Sequence, residues 1–166
     1  MATIKLGGNE IQTVGKLPEV GSQAPNFKLK KSDLSNATLS DFKGKKLILN
    51  IFPSIDTDVC ATSVKNFNER ATELNNTEVL CISRDTPFAM KRFADDEGTE
   101  NVTNLSDLLD GSFGEDYGLT MKTGGMAGFH SRAVIVLDEE GKVIYNQQVP
   151  EIGEEPNYLN ALKAVL

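Results

Sequence analysis

The sequence predicts an α/β domain with a mixed central sheet, helices flanking it, and an added β-hairpin at the N-terminus. Three observations carry this. The near-continuous apolar run Leu47–Phe52 and the later run Glu78–Ser83 have the composition of strands buried on both faces. Between them, Val64, Phe67, Ala71 and Leu74 recur at helical spacing and share one face. Near the C-terminus, Ala133–Leu137 and Lys142–Gln148 flank the turn Asp138-Glu139-Glu140-Gly141, as a paired antiparallel unit does.

The elements follow in order. Thr3–Leu6 and Glu10–Val14 flank Gly7-Gly8-Asn9, which predicts a hairpin over about 3–14. Residues Pro18 to Phe42, with Gly21, Pro25 and Ser/Asp/Asn clusters, read as an irregular lead-in that wraps the core. The strand Leu47–Phe52 leads to a helix from about Val59 to Leu74, with Asp56, Thr57 and Asp58 as candidate caps. After the strand Glu78–Ser83, Asp85-Thr86-Pro87 opens a second helix. It carries Phe88, Met90 and Phe93 and ends near Gly98; proline early in a helix costs little because its missing N–H has no helical partner there. Val102–Leu105 is a short strand, Asp107 to Tyr117 a short helix, 121–129 a mobile glycine-rich loop, and Pro156 to Leu166 a closing helix. A parallel first half and an antiparallel second half, in this order, make a thioredoxin-like fold. One domain spanning 1–166 is expected, without repeats.

Composition excludes several classes. The chain has 166 residues, 25% of them charged, and a net charge of −7, with Lys and Arg dispersed. Binding to nucleic acid or to an anionic membrane is therefore not expected. No apolar run approaches the length of a bilayer span. Met1-Ala2-Thr3-Ile4-Lys5 lacks the pattern of a signal peptide, so a cytoplasmic location is expected. Two cysteines and one histidine, far apart, give no zinc spacing and no disulfide-rich scaffold.

Cys60 carries the chemistry. It follows Pro53-Ser54-Ile55-Asp56-Thr57-Asp58-Val59, so it falls in the first turn of the first helix, just past a buried strand. A helix N-terminus favours negative charge, and thiolate is the nucleophilic form of cysteine. Thr57 is either a helix cap or a hydroxyl that orients groups at the sulfur. Pro53 either ends the strand or shields the sulfur from water. Arg132, at the start of Ala133–Leu137, is a surface charge unless its guanidinium is held against Cys60. Cys81 lies in Val79-Leu80-Cys81-Ile82 and reads as an inert core thiol. His130 suggests a Cys–His dyad, which is set aside because His130 is expected to point to the other side of the extended chain from Arg132. Gly124-Gly125 lacks the Gly-Lys-Ser/Thr of a phosphate loop.

The segment Pro53-x-x-x-Thr57-x-x-Cys60 resembles the active-site motif of peroxiredoxins, in particular the atypical two-cysteine thiol peroxidases of bacteria. The stretches 54–64, 76–83, 113–118, 132–138 and 149–158 resemble the same branch, so the likeness runs through the whole chain. It implies an antioxidant peroxidase that reduces hydrogen peroxide and alkyl hydroperoxides through a sulfenic acid on Cys60. It further implies activation by Thr57 and Arg132, shielding by Pro53, no metal or organic cofactor, thioredoxin or another thiol as reductant, and a homodimer. In that branch the resolving cysteine lies on the second helix, where this chain has Ala94 in Lys91-Arg92-Phe93-Ala94. The usual intrachain disulfide is thus ruled out, and Cys81, in a buried strand, is a poor substitute. Two other classes compete. A non-catalytic thioredoxin-like binding module requires an unreactive Cys60. A disulfide oxidoreductase requires Cys-x-x-Cys, and Cys60-Ala61-Thr62-Ser63 supplies one cysteine.

Overall fold

The computed structural model describes Met1–Leu166. The strands are β1 (Thr3–Leu6), β2 (Asn9–Gln12), β3 (Lys28–Lys31), β4 (Asn36–Thr38), β5 (Lys46–Ile51), β6 (Thr77–Ser83), β7 (Thr103–Ser106), β8 (Ala133–Leu137) and β9 (Val143–Gln148). The helices are α1 (Asp58–Ala71), α2 (Pro87–Glu97), α3 (Ser112–Asp116) and α4 (Tyr158–Ala164). β1 and β2 form a separate hairpin, and the other seven strands form one sheet in the order β4-β3-β7-β6-β5-β8-β9. β5, β6 and β7 run parallel, whereas β8 pairs antiparallel with β5 and with β9. This is the mixed thioredoxin-like sheet that the sequence pattern predicts.

Strand alternation splits the core into two layers. Leu47, Leu49, Ile51, Leu80, Ile82, Ala133, Ile135 and Leu137 face one layer with Phe27, Leu29, Phe113 and Tyr117. Ile48, Val79, Cys81, Val134 and Val136 face the other, where α1 contributes Cys60, Val64 and Phe67 and α4 contributes Ala161 and Leu162. Side chains two apart share a face, so an apolar residue at every position of a strand supplies both layers. A third, small cluster of Ile4, Ile11, Met121 and Ile152 fastens the hairpin to the body of the protein.

The lead-in 18–42 departs from expectation. It contains β3, β4 and a 3-10 turn over Leu39–Phe42. Lys28-Leu29-Lys30-Lys31 offers one buried apolar side chain, Leu29, and takes its strand form from pairing with β4 and the edge of β7. Such context-driven strands carry a weak propensity signal. The third helix is also shorter than expected, because Asp107 serves instead as a buried acceptor for the N–H groups of Phe113 and Gly114 at its start. The glycine-rich loop is closed on itself by Met121 N–H to Phe129 O (2.9 Å) and Gly128 N–H to Met121 O (2.8 Å).

Candidate active site

β5 delivers the chain to the site. Its ladder runs through Ile51↔Ile82 and Ile51↔Ala133, and the Phe52 N–H still reaches Ile82 O at 3.2 Å. Pro53, buried, follows at once; without an N–H it cannot extend the ladder. Thr57 occupies the position preceding α1, with extended backbone (φ −103°, ψ 149°). Cys60 is the third residue of the helix. Ala61 N–H makes the first helical bond, to Thr57 O (2.9 Å), while the N–H groups of Asp58, Val59 and Cys60 meet no protein acceptor. These are the free donors of a helix start, aimed along its axis.

Thr57 caps nothing with its side chain. Its hydroxyl donates to Ser54 O at 3.0 Å, which leaves its lone pairs uncommitted. Asp56 and Asp58 do not cap either; Asp56 forms an exposed pair with Arg92 of α2 (3.0 Å). The loop is held by Asp85, a residue whose sequence setting points only to the opening of a helix. Asp85 accepts from the Ser54 hydroxyl (2.7 Å), the Ile55 N–H (2.7 Å) and the Ser83 hydroxyl. The available signal was topological: the C-terminal ends of adjacent parallel strands place residues 53–55 and 83–85 side by side.

Arg132 arrives from the other neighbour of β5. Because β8 is antiparallel to β5, the residue that precedes β8 stands beside the end of β5. Arg132 is 2% exposed and Cys60 is fully buried. Nη2 of Arg132 lies 3.4 Å from Cys60 Sγ, and Nε donates to Ile152 O at 2.9 Å. Nη1 is buried without a protein partner. A buried guanidinium with one donor on sulfur and one donor spare is arranged to bind a further polar atom beside that sulfur. A cleft of about 300 Å³ opens at this point, lined by Pro53, Thr57, Val59, Arg132, Leu6 of the hairpin, Met126 of the glycine-rich loop, and Ile152.

The other candidates lie elsewhere. Cys81 is fully buried in the layer beneath α1, and burial pushes its thiol up to about 12, against a weaker opposing hydrogen bond from Asn50. Both cysteines are free thiols. Ala94 sits near the end of α2 and lines a different groove, with Thr99 and Asn104. His130 does not reach Cys60: its Nε2 is 2.8 Å from Asp107 Oδ2, and its ring packs on Phe113. In a regular strand residues 130 and 132 would share a side. They diverge because this segment precedes β8 and is held by the Thr120↔His130 bridge and by Ser131 N–H to Leu119 O (2.9 Å).

Comparisons with known proteins identify the family. The pattern of the Redoxin family matches residues 19–162. A thiol peroxidase of Mycobacterium tuberculosis (strain ATCC 25618 / H37Rv) is 55% identical over 165 residues, which is 99% of each chain. A thiol peroxidase of Corynebacterium glutamicum is 51% identical over the same span. Among solved structures, a peroxiredoxin-like protein from Aquifex aeolicus superposes with a TM-score of 0.94 at 38% identity, covering 99% of this chain and 96% of that one. A thiol peroxidase from Chromobacterium violaceum shares the fold, with a TM-score of 0.89 at 20% identity, covering 97% of this chain and 93% of that one. A thioredoxin-like fold, with full-length relatives at this level of identity, places the chain in the Redoxin family, as a peroxiredoxin of the bacterial thiol peroxidase type.

Proposed function

We propose that the protein is a thiol-dependent peroxidase in which Cys60 reduces hydrogen peroxide and alkyl hydroperoxides. The observation that carries this reading is the 3.4 Å approach of Arg132 Nη2 to Cys60 Sγ at the start of α1. The Cys60 thiolate attacks the distal oxygen of the hydroperoxide. An S–O bond forms, the O–O bond breaks, and the departing alkoxide or hydroxide takes up a proton to leave as alcohol or water. The sulfur, oxidised by two electrons, becomes sulfenic acid. Arg132, with its spare Nη1 donor, binds the peroxide oxygens and stabilises the charge that builds on the leaving oxygen. The N–H groups at the start of α1 add donors, Thr57 accepts the peroxide O–H, and Pro53 limits water at the sulfur.

Return to the thiol requires two external thiol groups. The first condenses with the sulfenic acid, releasing water and forming a mixed disulfide; the second displaces it and leaves with the first as a disulfide. Thioredoxin or a small dithiol supplies both, because position 94, which the resemblance matches to the resolving cysteine, is alanine, and Cys81 is sequestered. Cys60 is fully buried and does not itself line the cleft beside Arg132, so both peroxide and the reducing thiol reach its sulfur only when the residues covering it move. No helix is long and apolar enough to cross a membrane; we place the protein in the cytoplasm, without nucleic-acid or membrane partners, as a homodimer. The dimer reading draws support from exposed Phe88, Leu109 and Phe129.

Peroxide consumption by wild type and Cys60→Ser, with and without thioredoxin, tests this reading. Wild type consumes peroxide catalytically only with reductant, and Cys60→Ser does not consume it. Equal consumption by the two proteins would overturn the proposal.

A further inference from the structure

The N-terminal hairpin is built into the wall of the cleft, and one carboxylate ties its turn to the 150–153 segment. Glu151 Oε1 accepts the N–H of Gly7 at 3.0 Å, and Oε2 accepts that of Gly8 at 3.1 Å. Oε1 also takes a longer bond from the Gly153 N–H, at 3.4 Å. Both glycines of the β1–β2 turn have positive φ, +58° and +84°, a conformation in which successive N–H groups converge on one anion. Those N–H groups, Gly8 first, hold the Glu151 carboxyl below the usual carboxylate range. On either side of Glu151 the backbone completes the joint. Lys5 N–H donates to Pro150 O (2.7 Å), and Ile152 N–H donates to Lys5 O (2.9 Å).

The next link reaches the reacting centre. Ile152, whose N–H is fixed by Lys5, offers its carbonyl to Arg132 Nε. That is the one side-chain hydrogen bond Arg132 makes to an oxygen, and it sets where Nη2 and Nη1 point. Gly7, Glu151, Ile152 and Gly153 line the same cleft as Arg132.

We propose that Glu151 is a positioning residue for Arg132: by pinning the Gly7-Gly8 turn to the 150–153 segment, it fixes the Ile152 carbonyl and through it the guanidinium at Cys60. The proposal rests on the peroxidase reading for its kinetic arm only. Glu151 touches neither Sγ nor the guanidinium; it acts through two backbone links. Glu151→Gln keeps the shape but loses the charge and presents an N–H₂ to donors.

The test is a double-mutant cycle on the rate of Cys60 oxidation by hydrogen peroxide, joined to solvent exchange of the Arg132 Nε–H by nitrogen-15 NMR. Glu151→Gln lowers the oxidation rate constant by about tenfold, as displacement of a charge-stabilising group does. In the Arg132→Lys background, where no Nε reaches Ile152, the same substitution costs less than about twofold. The Arg132 Nε–H exchanges faster in Glu151→Gln than in wild type. Should that variant not fold, Glu151→Asp, with the charge withdrawn by one methylene, shows a smaller loss with the same non-additivity. A wild-type rate in the folded variant overturns the proposal, as does an equal loss in both backgrounds or an unchanged Nε–H exchange rate. The exchange comparison uses no peroxide, so it decides the role of Glu151 even if wild-type Cys60 proves unreactive and the peroxidase reading falls.

Discussion

Arg132 divides its guanidinium between two partners, with Nε on Ile152 O at 2.9 Å and Nη2 at 3.4 Å from Cys60 Sγ, and keeps Nη1 unpaired although the side chain is 2% exposed. A buried N–H without a partner costs about 1–3 kcal/mol when nothing binds it. The arrangement is consistent with a donor reserved for an incoming oxygen. Arg132→Met removes this donor and the charge, and the rate constant of Cys60 oxidation should fall by about 10²–10³-fold, as on losing a donor to a developing oxyanion. Stopped-flow oxidation with limiting peroxide measures it; a loss under threefold would remove Arg132 from the reaction.

Asp85 ties the 53–57 loop to the end of β6 through the Ser54 hydroxyl and the Ile55 N–H. Asp85→Ala strands these donors and should destabilise the protein by about 2 kcal/mol. Denaturant unfolding checks the stability, and the oxidation rate should fall alongside it because Thr57 and Pro53 lose their anchor. Unchanged stability would mean that water replaces the carboxylate without cost.

Cys81 predicts an alkaline weakness. Burial raises its thiol to about 12 in the folded protein from an ordinary value of 9.0. Below that ordinary value both folded and unfolded chains hold the proton, and the stabilising contribution is complete. Above it the unfolded chain ionises first, so this contribution is lost progressively as pH rises from 9.0 to about 12. Thermal melts of wild type and Cys81→Ala across that window should converge as pH rises. A constant difference would show that the Cys81 proton does not matter.

Ala94→Cys tests the proposal that position 94 is where the atypical two-cysteine branch carries its resolving cysteine. Ala94 lines a groove that shares no residue with the cleft beside Arg132, and Cys60 is fully buried, so a disulfide between Cys60 and the introduced thiol requires local rearrangement of α1 and α2. After one equivalent of peroxide, mass spectrometry under non-reducing conditions should find this intrachain disulfide in the variant. Wild type should show a single added oxygen at Cys60. A Cys60–Cys81 disulfide in wild type would contradict the single-cysteine cycle.

The sequence made some of this visible and hid the rest for identifiable reasons. The two-layer core was legible because Leu47–Phe52 and Ala133–Leu137 are apolar at nearly every position. Cys60 was legible because a proline and a cap position fix the strand end and helix start around it. β3 was not, since three of its four residues are lysines and its form comes from its neighbours. Asp85 and Glu151 were missed for a related reason. Each acts on backbone N–H groups remote in sequence, and side-chain-to-backbone bonds leave no periodic trace. Thr57 showed the limit of cap rules, because its hydroxyl found a carbonyl behind it rather than the helix ahead.

The antiparallel seam between β5 and β8 also governs which length changes this chain tolerates. Removing one residue from Ala133–Leu137 would carry the guanidinium to the opposite layer, among Phe113 and Tyr117, because a one-step slip inverts every side chain. Extra residues at Asp138–Gly141 fall at the distal tip of the β8–β9 hairpin and leave Ile51 opposite Ala133. Insertions at that tip thus spare the guanidinium at Cys60 and cost only the bonds that tie the tip to Gln23, Ala24 and Gly44, whereas length changes at the root of the hairpin disable the enzyme.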